Sequence, residues 1–254
     1  MRVNNLIFIF IFQIFTVFGQ GYNKKYGNPI IILSEADPSI ESSSYSKLGL
    51  NAPTFVLYEN GQILFRKMIA KELIFFESIV EKNDIQKFIK KIGLTDKLIK
   101  KLPKQIQATE VSCQAFTNLT IRLDSIKNLF ISGNIRNPKS DDRKRIPKNI
   151  MTVYDNLTGY DDKSAKQWIP EYIEVNLTDA NDFPGRIIHW SENLANLNNI
   201  ISKDTLGQTY KVLIEKKNFK EFYRIMSNVT ETATILHNGR NVSVWFQLHY
   251  PNLN

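Results

Sequence analysis

The chain has 254 residues, 43% of them hydrophobic and 11% aromatic, and its 33 Lys and Arg against 25 Asp and Glu give a formal net charge of +8. That composition excludes a largely disordered chain, which could not bury enough apolar surface to offset its conformational entropy. The single cysteine, Cys113, excludes an internal disulfide, so an apolar interior must hold the fold.

The chain opens on Arg2 and an apolar run, Leu6 to Phe18, broken only by Gln13 and Thr16 and followed by Gly19, Gln20 and Gly21. Such a run is shorter than the roughly 20 residues that cross a bilayer, and it reads as a cleavable secretory signal over residues 1–20. The expected location is secreted or periplasmic, and the expected product of cleavage is not an integral membrane protein.

A strand is expected at Pro29–Leu33, then a surface loop rich in Ser39, Ser42, Ser43, Ser44 and Ser46. Pro53–Tyr58 and Gln62–Met68 are β-prone runs on either side of Asn60-Gly61. Two residues tolerant of positive φ suit a type I′ turn, so the pair predicts a hairpin. Leu73–Val80 would add a third strand. From Asp84 the period changes: Ile85, Phe88, Ile89 and Ile92 fall on one helix face, with Asn83 as the expected cap and Gly93 as the end. A second short helix is expected from Thr95 to before Pro103.

Between Val111 and Leu123 apolar and polar residues alternate, which predicts a long half-buried strand with Cys113 as an inert residue on its apolar side and Phe116 interrupting the polar one. Ile126–Ser132 would pair with it across Asp124-Ser125. Residues 134–147 have no periodicity and many charges, and they read as a charged loop or linker between two α+β subdomains, 22–133 and 148–254. Pro147 suits the start of a helix with Ile150, Val153, Tyr154 and Leu157 on its buried stripe and Gly159 at its end. Further on come a strand at Tyr172–Thr178, a strand at Gln208–Ile214, and a helix presenting Phe219, Phe222, Tyr223 and Met226, with Asn218 and Glu221 as a capping box. A second Asn-Gly hairpin, Thr232–His237 with Arg240–His249, closes the chain. The mixed order and the hairpins predict an α+β fold, antiparallel hairpins with amphipathic helices packed on them, rather than a doubly wound parallel sheet.

The stretch Ala52-Pro53-Thr54-Phe55-Val56-Leu57-Tyr58-Glu59-Asn60-Gly61 followed by a helix resembles the late part of a thioredoxin fold. The short upstream segment and the missing Cys-x-x-Cys argue against a thioredoxin-like oxidoreductase. A broader pattern, from Pro53–Tyr58 through Asn60-Gly61, the helix at Asp84, the strand at Val111, the helix at Ile150 and Trp168-Ile169-Pro170, resembles a group of secreted, mainly bacterial proteins without an assigned function. The likeness spans roughly residues 50–180 and implies export and one shared fold, with no activity and no site.

Reactive residues are scattered. His189, His237 and His249 lie in no H-E-x-x-H or similar spacing, so they point to no metal site. Asp155, Asp161 and Asp162 gather near a helix end but lack the EF-hand pattern. Neither G-x-S-x-G nor a phosphate-cradling glycine loop is present, and no cofactor is expected. Lys82, Lys87, Lys90, Lys91, Lys97, Lys100, Lys101 and Lys104 crowd the helical segment, as a membrane-surface helix or as the wet side of a core-facing one. Sequons stand at Asn118, Asn156, Asn176, Asn228 and Asn241. The positive balance favours an anionic surface, polymer or protein as partner, and the lack of interleaved exposed aromatics argues against nucleic acid. The expected function is a non-catalytic exported binding module. The alternative is a secreted hydrolase whose site assembles only in the fold, around the three histidines or Asp155, Asp161 and Asp162.

Overall fold

The structure, a computed structural model, describes residues 23–36, 52–70, 72–111, 115–180, 186–189, 194, 200–203, 209–227, 234–237, 239–248 and 250–253. The expected signal, the Ser-rich segment, Cys113, Asn228 and His249 lie outside the described residues.

The fold is α+β. Strands β1 (Pro29–Ala36), β2 (Phe55–Tyr58), β3 (Gln62–Ile69) and β4 (Glu72–Ile79) form an antiparallel run. All four residues of β2 are buried, as a continuous apolar run in the middle of a sheet requires. The hairpin forms as expected but not through a type I′ turn, because Asn60 keeps a negative φ; the turn into β3 depends on Gly61, whose φ of +88° favours glycine. Space closes the same position: a Cβ on Gly61 would stand 1.9 Å from the Val80 carbonyl oxygen.

Helix α1 (Ile85–Lys91) buries Ile85 and Ile89, and α2 (Asp96–Lys100) buries Leu98. The expected cap at Asn83 is not used. A 3-10 turn over Lys82–Asp84 absorbs Asn83 and leaves Asp84 at the cap position, with no side-chain hydrogen bond. Gly93, at φ +96°, does end α1, and the Thr95 hydroxyl caps α2 by accepting from the Leu98 amide at 3.3 Å.

Strand β5 (Gln105–Gln107) runs parallel to β7 (Ile126–Ser132), which pairs antiparallel with β6 (Phe116–Arg122). Among the described residues, the pairing of β6 begins at Phe116. Val111 is 62% exposed rather than on a buried face, because residues 109–111 form a local turn in which the Thr109 hydroxyl accepts from the Val111 amide.

Residues 134–147 do not hang free between subdomains. Ile135 and Ile146 are buried in the same core as β1–β3, with a 3-10 turn over Asp141–Arg145 between them. Helix α3 (Lys148–Thr158) packs there too, through Ile150, Val153, Tyr154 and Leu157. Short strand β8 (Lys166–Gln167) then pairs with β4 and completes an eight-stranded sheet in the order β5-β7-β6-β1-β2-β3-β4-β8. The change to the second sheet therefore comes between Gln167 and Tyr172, beyond the charged segment.

The second sheet contains β9 (Tyr172–Asp179), β10 (Ile187–His189), β11 (Ile200–Lys203), β12 (Thr209–Glu215), β13 (Thr234–His237) and β14 (Arg240–Gln247), in the order β10-β13-β14-β9-β12-β11. Helix α4 (Phe219–Ser227) lies between β12 and β13 in sequence, preceded by a 3-10 turn that takes in Asn218.

Two cores result. Alternation along β3 sends Ile63 and Phe65 to one core with α1–α3, and Leu64 to the other. The second core joins Val56, Tyr58, Leu64 and Phe75 of the first sheet to Val175, Val212 and Phe246 of the second and to Phe222 and Met226 of α4. Each such side chain, fully buried, contributes roughly 1.5–3 kcal/mol. Beside this core residues 23–27 and 251–252 are tied to the fold: Asn252 donates to the Gly27 and Asn23 carbonyls and accepts from the Asn23 amide, and the Tyr58 hydroxyl donates to the Pro251 carbonyl at 2.9 Å.

Replacing Gly61 by Ala is expected to destabilise the fold by more than ~1 kcal/mol, since both φ and space oppose a side chain. Gly239, with φ +75° but nothing near its missing Cβ, is the control and should cost less on the same change. Urea midpoints of the two variants measure the difference, and equal midpoints would contradict this account of the turn.

Candidate functional site

The site begins where the first sheet ends. There the Thr54 amide donates to the Leu33 carbonyl at 2.7 Å. At that margin β3 carries Arg66, only 6% exposed, on the same strand face as Leu64. A guanidinium cannot be dehydrated without acceptors. Arg66 Nη2 donates to Thr54 Oγ1 at 3.1 Å, and Thr54 Oγ1 in turn donates to Glu35 Oε2 at 2.6 Å. From α3 the Tyr154 hydroxyl donates to Glu35 Oε1 at 2.5 Å. Strands β1 and β3, the start of β2, and α3 are thereby joined by one polar chain.

The wall opposite is built by the charged segment. Arg143 donates through Nη1 to the Ile135 carbonyl and through Nη2 to both Asp155 carboxylate oxygens, at 2.7 and 2.8 Å. Its guanidinium carbon lies 5.9 Å from the Tyr154 ring centre, a cation–π contact that adds to its hold on α3. Arg136 is exposed and faces the same space, and Lys67 borders it from β3 while pairing with Asp161 at 2.5 Å.

Together these residues surround an open cleft of about 470 Å³. Four cations, Arg66, Lys67, Arg136 and Arg143, line it with only two carboxylates, Glu35 and Asp155. Burial, then the charge of Glu35, push the Tyr154 phenol well above the usual tyrosine range, so this hydroxyl remains a donor and supplies no base at neutral pH. Both carboxylates already accept hydrogen bonds from the protein. The arrangement can hold an anionic group.

Of the candidate histidines and aspartates among the described residues, Asp155 alone lines this cleft. Asp161 and Asp162 stand beyond it, each in a local arrangement: Lys67 holds the Asp161 carboxyl below its usual range, and the Ser164 hydroxyl and amide do the same for Asp162. His189 and His237 do not converge. His189 is exposed and stands beside Leu236 in the β10–β13 register, whereas His237, the next residue along β13, points to the opposite face and is buried with its ring 5.7 Å from that of Tyr210. Burial pulls the His237 imidazole below its usual pKa. Among the described residues no group of three or more His, Cys, Asp and Glu could hold a metal ion, and no helix is long and apolar enough to cross a membrane.

All eight lysines of the helical segment are exposed, while Ile85, Ile89, Ile92 and Leu98 face the core. They form the wet side of core-packed helices. Asn176 is 2% exposed, so a glycan at that sequon is incompatible with the fold. Nothing in the sequence marks Glu35 or Thr54 as functional, whereas Arg66 carries a charge at a core-facing position of the hairpin strand β3. No protein family, curated protein or solved structure matches this chain.

Buried tyrosines give the fold an alkaline limit. Burial raises Tyr58, Tyr154 and Tyr250 well above the ordinary value near 10. In the unfolded chain these phenols ionise near pH 10, while in the folded protein they keep their protons. Their contribution is therefore complete below about pH 10 and is lost as pH rises beyond it. The urea midpoint should fall steeply between about pH 9.5 and 11.5, and less steeply in Tyr154→Phe; identical slopes would refute the assignment for Tyr154.

Proposed function

We propose that the chain is exported and acts outside the cytoplasm as a non-catalytic binding module, recognising a partner through an anionic group, carboxylate or phosphate, seated in the cleft beside Arg66. One observation carries this reading: a buried guanidinium and three further cations converge on a space that holds two carboxylates. Guanidinium pairs recognise carboxylates and phosphates through planar, charge-assisted hydrogen bonds. The hydrogen-bonded chain Arg66–Thr54–Glu35–Tyr154, in which Arg66, Thr54 and Tyr154 are buried, fixes the geometry before a ligand arrives.

Binding is favoured over hydrolysis by the state of the candidate acids. Asp155 is engaged by Arg143, Glu35 accepts from two hydroxyls, and His189 and His237 lie on the other sheet. Export rests on the N-terminal apolar run and on the resemblance to secreted, mainly bacterial proteins.

Isothermal titration with acetate and inorganic phosphate at low ionic strength tests the cleft. Arg136 is exposed, so Arg136→Glu should fold normally and weaken binding by about tenfold or more, roughly 1.4 kcal/mol. Added salt should weaken the wild-type affinity, because the cleft is open to solvent. Unchanged affinity in Arg136→Glu would remove the cleft as the site.

A further inference from the structure

A second cavity of about 230 Å³ lies on the helix-covered side of the β3–β4 hairpin. Its character differs from that of the first. Phe65, Ile69, Phe76 and Ala165 supply apolar lining, and Asp161 and Asp162 stand with them. The rings of Phe65 and Phe76 are stacked with centroids 5.4 Å apart, and Tyr160 meets Phe65 edge-on at 5.0 Å, so this lining is rigid. Ile69 remains 44% exposed although it borders the cavity, which leaves apolar surface uncovered there.

One residue, Lys67, borders both cavities. Alternation along β3 places Phe65, Lys67 and Ile69 on one face. The Lys67 ammonium sits 5.5 Å from the Phe65 ring centre and pairs with the exposed carboxylate of Asp161. Its aliphatic stem is thus the boundary between a cationic cleft and an apolar recess. Lysine stems cover apolar surface readily while the ammonium stays accessible.

From this juxtaposition we infer that the ligand is a small amphipathic acid, with an anionic head in the cationic cleft and a short apolar tail running past Lys67 onto Phe65, Ile69 and Phe76. This rests on the anion-binding reading of the cleft and adds the tail. Charge fixes the orientation. Asp161 and Asp162 repel a second anion from the recess, whereas the cleft has an excess of cations, so the head has one favourable end and the tail the other. The head competes with Asp161 for Lys67, an exposed pair that solvent already weakens.

Titration of the full chain with matched probes separates this inference from the reading beneath it. Octanoate and 3-phenylpropionate are compared with acetate, and octyl phosphate with inorganic phosphate, to distinguish a carboxylate from a phosphate head. Each methylene buried in the recess should tighten binding by up to about fourfold. Octanoate is therefore expected to bind at least ~10-fold more tightly than acetate. Ile69→Thr, a change at a half-exposed position, should remove most of that gain and leave acetate affinity unchanged. If acetate or phosphate binds and the tail adds nothing, or if the gain survives Ile69→Thr, the inference falls and the anion-binding reading stands. If none of the probes binds, both fall.

Discussion

Burying Arg66 is the constraint around which the polar end of this fold is organised. A charge removed from water needs acceptors close by, or its desolvation outweighs whatever packing it gains. Thr54 answers first, and a hydroxyl that accepts from a guanidinium is free to donate onward, here to Glu35. Glu35 then orients Tyr154, and Tyr154 anchors α3 against the sheet end. Removing Glu35 or Thr54 would leave buried neighbours among Arg66, Thr54 and Tyr154 with unmet demands, which is why such chains are stiffer than a sum of separate bonds suggests.

The charged segment is held against the sheet by contacts of its own. Its apolar residues Ile135 and Ile146 are anchored in the core, and the polar stretch between them is folded by short bonds: Ser140 caps the 3-10 turn, Asp142 accepts from the Asn134 amide, and Arg143 reaches back to the Ile135 carbonyl. Arg143 and Arg136 consequently arrive on a fixed scaffold opposite Arg66. Recognition residues on a short, well-anchored loop lose less conformational freedom on binding than residues on a free linker would.

Much of the fold is legible in the sequence because it is local. The Asn60-Gly61 hairpin, the stripe Ile85, Ile89 and Ile92, the helix start near Thr95 and the stripe on α3 each depend on residues within a few positions of one another. The failures have a common cause. Asn83 has the chemistry of a cap, but a preceding 3-10 turn shifted the helix start by one residue. Residues 134–147 look like a linker by composition, and only long-range burial of Ile135 and Ile146 makes them part of a core. The cleft was least legible of all, since Glu35, Thr54, Arg66 and Tyr154 come from four separate stretches of chain and are brought together by strand order alone. His189 and His237 show the converse: neighbouring strands bring them close, and the alternation of side chains across the sheet then separates them.

Strand alternation also explains how one hairpin can serve stability and recognition at once. Successive residues Leu64, Phe65, Arg66 and Lys67 point alternately to the two sides of the sheet, so two of them close two different cores while the next two deliver cations to the sheet's end. Where the sheet stops, those two sides meet, and Arg66 and Lys67 border the same space from opposite faces. A ligand at this margin therefore touches residues whose neighbours in sequence are fully packed. The rigidity of the site is inherited from the cores on either side of it, and the open cleft needs no further element to hold its shape.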